Sequence, residues 1–372
     1  MRGEKMRIVI SGGGTGGHIY PGLMIAERVQ QSGGDALYIG TAKGLESKIV
    51  PKAGVPFETI EITGLRRSLS FENVRTLIRF WRGVQRAKKL LREFRPDVVV
   101  GTGGYVCAPV VYAAAKLNIP TMIHEQNAIP GLSNAFLSRF VDCVATSFKG
   151  SERYFRRAKS VVYTGNPRAS AVCDADGSVA IQQLQLDSKQ PVVLIFGGSR
   201  GALAVNQAVI DMMPLLIEQK DFQVIYVTGE TYYQNILDTL KQRHPVLPDH
   251  LRIKPYLYDM PSMLAATSLM IGRAGASSLA ELTALGIPSI LIPSPNVTNN
   301  HQEKNAMTLV QAGAAEMIKE SSLSGETLFA SIGSILSSPQ RMKSMSQQAK
   351  QLGEPKAIDR IFVELERLKR GR

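Results

Sequence analysis

The chain reads as an α/β protein made of two doubly wound, Rossmann-like domains. Three observations predict this. Short apolar strands alternate with helical patterns through the first half, which implies a parallel sheet covered on both faces. The second half restarts the plan: PVVLIFGGSRGA echoes MRIVISGGGTGGH, each a strand running into a glycine loop. At 372 residues the chain is also too long for one ordinary core.

In order, the candidate strands of the first half are Ile8–Ser11, Ala36–Gly40, Phe57–Ile62, Asp97–Gly101, Thr121–Gln126 and Cys143–Ser147. Helical patterns such as Pro21–Gln31 and Cys107–Lys116 fall between them. The second half offers Val192–Phe196, a helix from about Leu203, and strands Val224–Gly229, Leu251–Lys254, Leu269–Gly272 and Ser289–Pro293. Thr164–Asp187 reads as the linker, because Gly165, Asn166 and Pro167 interrupt regular structure there. The expected division is 1–164, 165–350 and a C-terminal helix in 351–372 that packs back toward the first domain. Open α/β sheets bind ligands outside the carboxyl ends of their strands, so two facing domains put the site in the cleft between them.

Composition removes several function classes. With 44% hydrophobic and 20% charged residues the chain is globular rather than disordered. Cys107, Cys143 and Cys173 lie far apart, with neither metal-ligand spacing nor a disulfide framework, so a reducing compartment is expected. MRGEKMRIVIS has too short an apolar run for a signal peptide, and no stretch reaches the roughly 20 apolar residues that a membrane span needs. Net charge is +13, from 44 basic and 31 acidic residues, which favours an anionic partner. Nucleic acid is disfavoured as that partner, since no nucleic-acid-binding signature appears and only 6% of residues are aromatic.

IVISGGGTGGHIYPG, residues 8–22, is the densest chemical signal. Its glycines let backbone approach a ligand, and the helix opening near Tyr20 aims N–H groups at the loop, as suits a phosphate or a sugar hydroxyl. His18 stands where a proton acceptor would meet substrate, and imidazole titrates close to neutral pH. Two further strand ends, VVVGTGGYVCAP and MIHEQNAIPG with His124, Glu125, Gln126 and Asn127, should share that rim. Each taken alone is equally a tight turn.

In the second half, IGRAGASSLAELTALG starts a helix at Ala276, Ser277 and Ser278, whose N-terminus favours phosphate. Glu281, about one turn on, can accept two hydrogen bonds from a ribose diol, although a first-turn glutamate also simply suits the helix dipole. Ser199 in GGSRGA would donate to a pyrophosphate. His301, Gln302 and Asn305 in NVTNNHQEKNA could hydrogen-bond a sugar or form a solvated helix start. No metal or cofactor is expected: the five histidines are scattered and form no i, i+4 pair. A dinucleotide would want a carboxylate at the end of the second strand, and Tyr38-Ile39-Gly40-Thr41 has none.

Residues 72–93 form an amphipathic helix. Val74, Leu77, Ile78, Phe80, Trp81 and Val84 share one side, with Arg75, Arg79, Arg82, Arg86 and Lys89 opposite and Arg66 and Arg67 just upstream. The helix either packs on the core with a solvated basic face or lies against anionic lipid, with Phe80 and Trp81 at the interface.

Together GGGTGGHIYPG, GTGGYVCAPV, HEQNAIPGLSN, TGNPRA, FGGSRGA, RAGASSLAEL and the NNHQEKNA run resemble the MurG family, in the same order over residues 6–350. These bacterial transferases add N-acetylglucosamine to undecaprenyl-diphospho-muramoyl-pentapeptide (lipid I), giving lipid II. The resemblance implies the GT-B fold, UDP-GlcNAc as donor, inversion at the anomeric carbon, no metal, and peripheral attachment to the cytoplasmic face of the plasma membrane. It makes 1–164 the acceptor- and membrane-binding domain and 165–350 the donor domain. By matching motif it places Thr15, Gly16 and Gly17 on the donor or the acceptor diphosphate, Asn127 near the donor sugar and Ser199 on the UDP diphosphate. Leu257 would read uracil through its backbone. Ala276, Ser277, Ser278, Leu279, Ala280 and Glu281 would cover the nucleotide, with Glu281 on the ribose. Gln302 would reach the sugar, a role for which His301 also competes, and Arg168, directly after Pro167, is a candidate donor contact. His18 is the candidate base for the acceptor 4-hydroxyl, and other wall-synthesis proteins are candidate partners. A diacylglycerol glucosyltransferase of the same fold and a non-catalytic nucleotide sensor are the competing readings.

Overall fold

The computed structural model describes residues 5–64, 71–198, 200–244 and 246–371. Two compact units emerge, residues 1–168 with 356–372, and residues 169–355. The second boundary lies beyond residue 350, because the helix Pro339–Leu352 falls within the second unit.

The first unit contains β1 (Arg7–Gly12), α1 (Gly16–Gln31), β2 (Asp35–Gly40), α2 (Glu46–Lys52), β3 (Phe57–Thr59) and α3 (Phe71–Phe94). There follow β4 (Val98–Gly103), α4 (Cys107–Lys116), β5 (Thr121–Glu125), α5 (Leu132–Leu137), β6 (Cys143–Thr146) and β7 (Val161–Tyr163). Its strands form one parallel sheet in the order β3-β2-β1-β4-β5-β6-β7. The central strands are legible because RIVISG and VVVGTG are β-branched and buried nearly throughout, as strands covered on both faces must be.

The second unit contains α6 (Gly177–Leu184), β8 (Val192–Phe196), α7 (Leu203–Glu218), β9 (Gln223–Val227), α8 (Tyr233–Arg243) and β10 (Leu251–Lys254). Then come α9 (Met260–Ala265), β11 (Leu269–Gly272), α10 (Ala276–Leu285), β12 (Ser289–Leu291), α11 (His301–Gln311), β13 (Ala315–Met317), α12 (Gly325–Leu336) and α13 (Pro339–Leu352). Its sheet, β10-β9-β8-β11-β12-β13, is also parallel and repeats the first unit's order from the same starting point. In each sheet the strand order reverses beside the first strand, so β1/β4 and β8/β11 are the positions where such folds take ligands.

Two cores cover the first sheet. One packs Val84, Leu90 and Leu91 of α3 and Val110 of α4 against Val9 and Val99. The other packs α1 and the last helix, α14 (Ala357–Arg370), against Ile8, Ile10 and Val98. Ile361, Leu365 and Leu368 supply the buried stripe of α14, and Arg28 of α1 pairs with Asp359 at 3.3 Å.

Three sequence expectations change. The strands Val161–Tyr163 and Ala315–Met317 were not anticipated: each is a three-residue sheet-edge strand, too short to show a pattern. The expected linker holds a helix, α6, because the Asp176 carboxylate caps it by accepting from the Ser178 N–H at 2.9 Å. The expected strands at Phe57–Ile62 and Ser289–Pro293 stop at Thr59 and Leu291.

Candidate functional site

In the first unit the glycine loop joins β1 to α1, with Thr15 in extended conformation as the residue before the helix. The His18 Nδ1 lies 3.0 Å from the Gly13 carbonyl oxygen and 3.3 Å from Thr15 Oγ1. A carbonyl only accepts, so in the neutral ring Nδ1 carries the proton and Nε2 carries the lone pair. The ring lies against the end of β4: a Cβ placed on Gly103 would fall 2.7 Å from His18 Cδ2. Thr102 Oγ1 donates to the His18 carbonyl at 2.8 Å, and the buried Tyr38 hydroxyl donates to the Gly12 carbonyl at 2.9 Å. Neighbouring strands thus hold the loop from both sides.

A buried polar chain brings the other first-unit residues to the same strand ends. Gln126 Nε2 donates to the Thr102 carbonyl at 2.9 Å and to His124 Nδ1 at 3.0 Å. His124 Nε2 donates to the Gly165 carbonyl at 2.9 Å. Burial pushes His124 down to about 4, so this ring stays neutral and structural. Glu125 accepts from the Asn127 N–H at 3.0 Å and from Asn127 Nδ2 at 3.1 Å with one oxygen. Its other oxygen accepts from the Gly131 N–H at 3.0 Å and Asn134 Nδ2 at 2.9 Å. Arg168 lies over the Tyr20 ring, 5.7 Å from its centroid, and its N–H donates to Asn166 Oδ1 at 3.1 Å. Arg168 therefore belongs with the first unit's loop, beside α1.

The sequence reading missed Glu46. The end of β2 has no acid within the strand, but α2 returns one. The buried Glu46 carboxylate accepts from the Thr41 N–H at 3.1 Å, the Thr41 hydroxyl at 2.6 Å and the Gly14 N–H at 3.1 Å.

In the second unit α10 begins at Ala276, directly after Gly275, where a Cβ would meet open space. The Oγ of Ser277 is shielded from solvent and has no hydrogen-bond partner among the described residues, a donor suited to a ligand oxygen. Glu281 is 7% exposed and sits in the second turn of α10, so the first-turn dipole explanation does not apply to it. Asn305 Nδ2 of α11 donates to the Ala274 carbonyl at 3.3 Å, tying the amide-rich segment to the approach of α10. Gln302 Oε1 accepts from the Ser294 N–H at 2.9 Å, and His301 Nδ1 lies 2.8 Å from the Thr298 carbonyl. Leu257 lies between β10 and α9, beside Tyr258, which is 92% exposed. Ser199 lies outside the described residues.

Residues 8–146 match the glycosyltransferase family 28 N-terminal domain, and residues 192–361 match the family 28 C-terminal domain. The chain belongs to glycosyltransferase family 28. It is 51% identical over 367 residues to a Bacillus subtilis (strain 168) protein, covering 98% of this chain and 100% of that one. That protein is named UDP-N-acetylglucosamine–N-acetylmuramyl-(pentapeptide) pyrophosphoryl-undecaprenol N-acetylglucosamine transferase. A Listeria monocytogenes protein of the same name is 52% identical over 358 residues, 96% of this chain and 98% of that one. The crystal structure of Acinetobacter baumannii MurG matches with a TM-score of 0.78 at 27% identity, over 97% of this chain and 99% of that one.

This family 28 chain does not keep the apolar side of α3 together. Val84 and the half-buried Phe80 turn toward the core, whereas Leu77 (56% exposed), Ile78 and Trp81 (50% exposed) face outward. The reason is tertiary: α4 and α5 meet only part of the apolar arc. Trp81 stacks edge-on to Tyr112 of α4 at 6.1 Å, and Tyr112 leads on to Phe136 and Phe140 at 6.3 and 5.2 Å. Phe136 and Leu132 of α5 are exposed and extend this surface. Arg75, Arg79, Arg82, Arg86 and Lys89 are exposed beside it, with Arg86 paired to Glu58 at 3.1 Å. Arg66, Arg67 and the side chain of Val74 lie outside the described residues. Among the described residues no helix is long and apolar enough to cross a membrane.

Proposed function

We propose that the chain transfers N-acetylglucosamine from UDP-GlcNAc to the C4 hydroxyl of undecaprenyl-diphospho-MurNAc-pentapeptide, converting lipid I to lipid II in peptidoglycan synthesis. The observation that carries this reading is 51–52% identity across both units to the Bacillus and Listeria transferases of that name. The geometry supplies matching chemistry. His18 Nε2 takes the proton of the C4 hydroxyl while that oxygen attacks the anomeric carbon. The bond from the anomeric carbon to the β-phosphate oxygen breaks on the opposite face, UDP departs, and the configuration inverts. Charge on the departing UDP falls to the N–H groups that open α10 and to Ser277 and Ser278, with Glu281 on the ribose. Thr15, Gly16 and Gly17 hold the acceptor diphosphate, Asn127 faces the donor sugar, and Gln302 serves the sugar hydroxyls. In this reading the first unit presents the acceptor and the second the nucleotide.

The same reading assigns the outward face of α3. Leu77, Ile78 and Trp81, flanked by Arg75, Arg79 and Arg82, lie against an anionic membrane surface, where the lipid-linked acceptor resides. Peripheral attachment at the inner face of the plasma membrane follows.

Release of UDP from UDP-GlcNAc is the test, with a lipid I analogue or diacylglycerol as acceptor and with added chelator. Turnover with the lipid I analogue alone, surviving chelation, is expected. Turnover with diacylglycerol selects the glycolipid glucosyltransferase, and nucleotide binding without turnover selects the sensor.

A further inference from the structure

The Gly13–Gly14 peptide has hydrogen bonds at both of its polar ends. Its N–H, on Gly14, donates to Glu46 Oε2 at 3.1 Å. Its carbonyl, on Gly13, lies 3.0 Å from His18 Nδ1. The N–H and C=O of one trans peptide point in opposite directions in one rigid plane. A carboxylate and an imidazole therefore sit at the two ends of a single peptide group. We propose that Glu46 is a positioning residue for His18, acting through the Gly13–Gly14 peptide.

A negative charge on the N–H side of a peptide polarises it and makes its carbonyl a stronger acceptor, since hydrogen bonds in a chain reinforce one another. That stronger acceptor holds the proton on Nδ1 and leaves the lone pair on Nε2, the form a general base needs. Glu46 is itself fixed, because its Oε1 accepts both the N–H and the hydroxyl of Thr41. The loop is also built around this side chain. A Cβ on Gly13 would fall 2.6 Å from the Glu46 carboxyl carbon, and one on Gly44 would fall 2.1 Å from Oε1. No substituent fits between the acid and the peptide it holds. In a dinucleotide-binding fold the N–H groups of this loop face a ligand's pyrophosphate. Here the Gly14 N–H is already taken by the chain's own anion, so this one peptide orients a base while the N–H groups further on stay open to a diphosphate.

The proposal rests on His18 being the base, so the experiment separates the two claims. Glu46→Gln is the decisive variant. Its single carbonyl stays with the two donors of Thr41, and its NH2 is set against the Gly14 N–H. We expect kcat on a lipid I analogue to fall roughly 10- to 100-fold, by analogy with removal of the group that orients a metal-ligating histidine. The KM for UDP-GlcNAc and the Kd for UDP should stay at their unaltered values, while the melting temperature falls a few degrees because the Gly14 N–H loses its acceptor. In 15N-histidine-labelled protein, His18 should move from the Nδ1–H tautomer toward a mixture, with the signal assigned by its loss in His18→Gln. Glu46→Asp should recover part of the rate. Unchanged kcat and tautomer in Glu46→Gln, with His18→Gln inactive, overturns the relay and leaves the base in place. A loss of rate with the His18 tautomer unchanged, or with weaker UDP binding, also overturns it, since Glu46 would then be structural. Full activity of His18→Gln sinks the underlying reading instead.

Discussion

The two glycine loops occupy equivalent places in sheets that share one strand order over six strands, yet they are fastened by opposite means. After β1, a buried carboxylate from beyond β2 takes the Gly14 N–H, and the loop turns a histidine toward the end of β4. After β8, backbone meets backbone. A Cβ on Gly201 would fall 2.1 Å from the Thr228 carbonyl oxygen, and that carbonyl accepts from Asn206 Nδ2 at 3.1 Å. The Tyr226 hydroxyl donates to Asn206 Oδ1 at 2.9 Å, so a neutral network does in the second unit what an anion does in the first. One topology therefore fastens its glycine loops in two ways, and the residue behind the loop, rather than the fold, makes the difference.

The largest expected effect tests that separation directly. His18→Ala should lower kcat by about 10²–10⁴-fold, the usual worth of a general base. UDP affinity, measured by calorimetry, should not change. A comparable loss of UDP binding would mean that the first loop also holds the nucleotide, and the contrast between the loops would fail.

The reciprocal variant belongs to the second unit. Glu281→Gln removes a charged acceptor whose hydrogen bonds are worth about 1.5–3 kcal/mol, so UDP affinity should fall roughly 10- to 150-fold. The KM for the acceptor should hold. A silent Glu281→Gln would show the ribose to be bound elsewhere.

A third test compares the units by their response to acid. Burial pushes His124 down to about 4, well below the ordinary value of an imidazole. Between pH 6.5 and 4 the unfolded chain therefore takes up a proton that the folded first unit refuses. Stability from this group is complete above about pH 6.5 and is lost as pH falls, by on the order of 3 kcal/mol at pH 4. The first unit's urea midpoint should drop across that window, and His124→Gln should remove this part of the drop. An equal pH slope in both proteins would place the acid sensitivity elsewhere.

What the sequence made legible follows from the range of the interactions involved. β1, β4 and β8 were readable because a strand buried on both faces writes its burial into consecutive β-branched residues. The start of α10 was readable because GRAG directly precedes Ala276. Glu46 was not: in TAKGLES it looks like any solvated helix start, and its function depends on α2 bringing it back onto the glycine loop. Two of the four edge strands, Val161–Tyr163 and Ala315–Met317, were not, because three residues are too short for a period to register; the equally short β3 was legible only within the longer run Phe57–Ile62. The sidedness of α3 was half readable. A helical wheel groups Val84 with Trp81, but only Tyr112 and Phe136, from other helices, decide which of them the core receives.

That last surface gives the smallest and most local contrast between the units, because it belongs to the first alone. If α3 lies on anionic lipid, each basic residue near the surface adds about 1 kcal/mol. Arg82→Gln should then weaken partitioning onto phosphatidylglycerol vesicles about fivefold, an effect that shrinks in high salt and vanishes on neutral vesicles. Trp81→Ala should weaken binding to both kinds, because an aromatic ring at the interface acts through apolar burial rather than charge. Identical salt dependence for the two variants would dissolve this division of labour. The outward arc of Leu77, Ile78 and Trp81 would then need an occupant other than a bilayer.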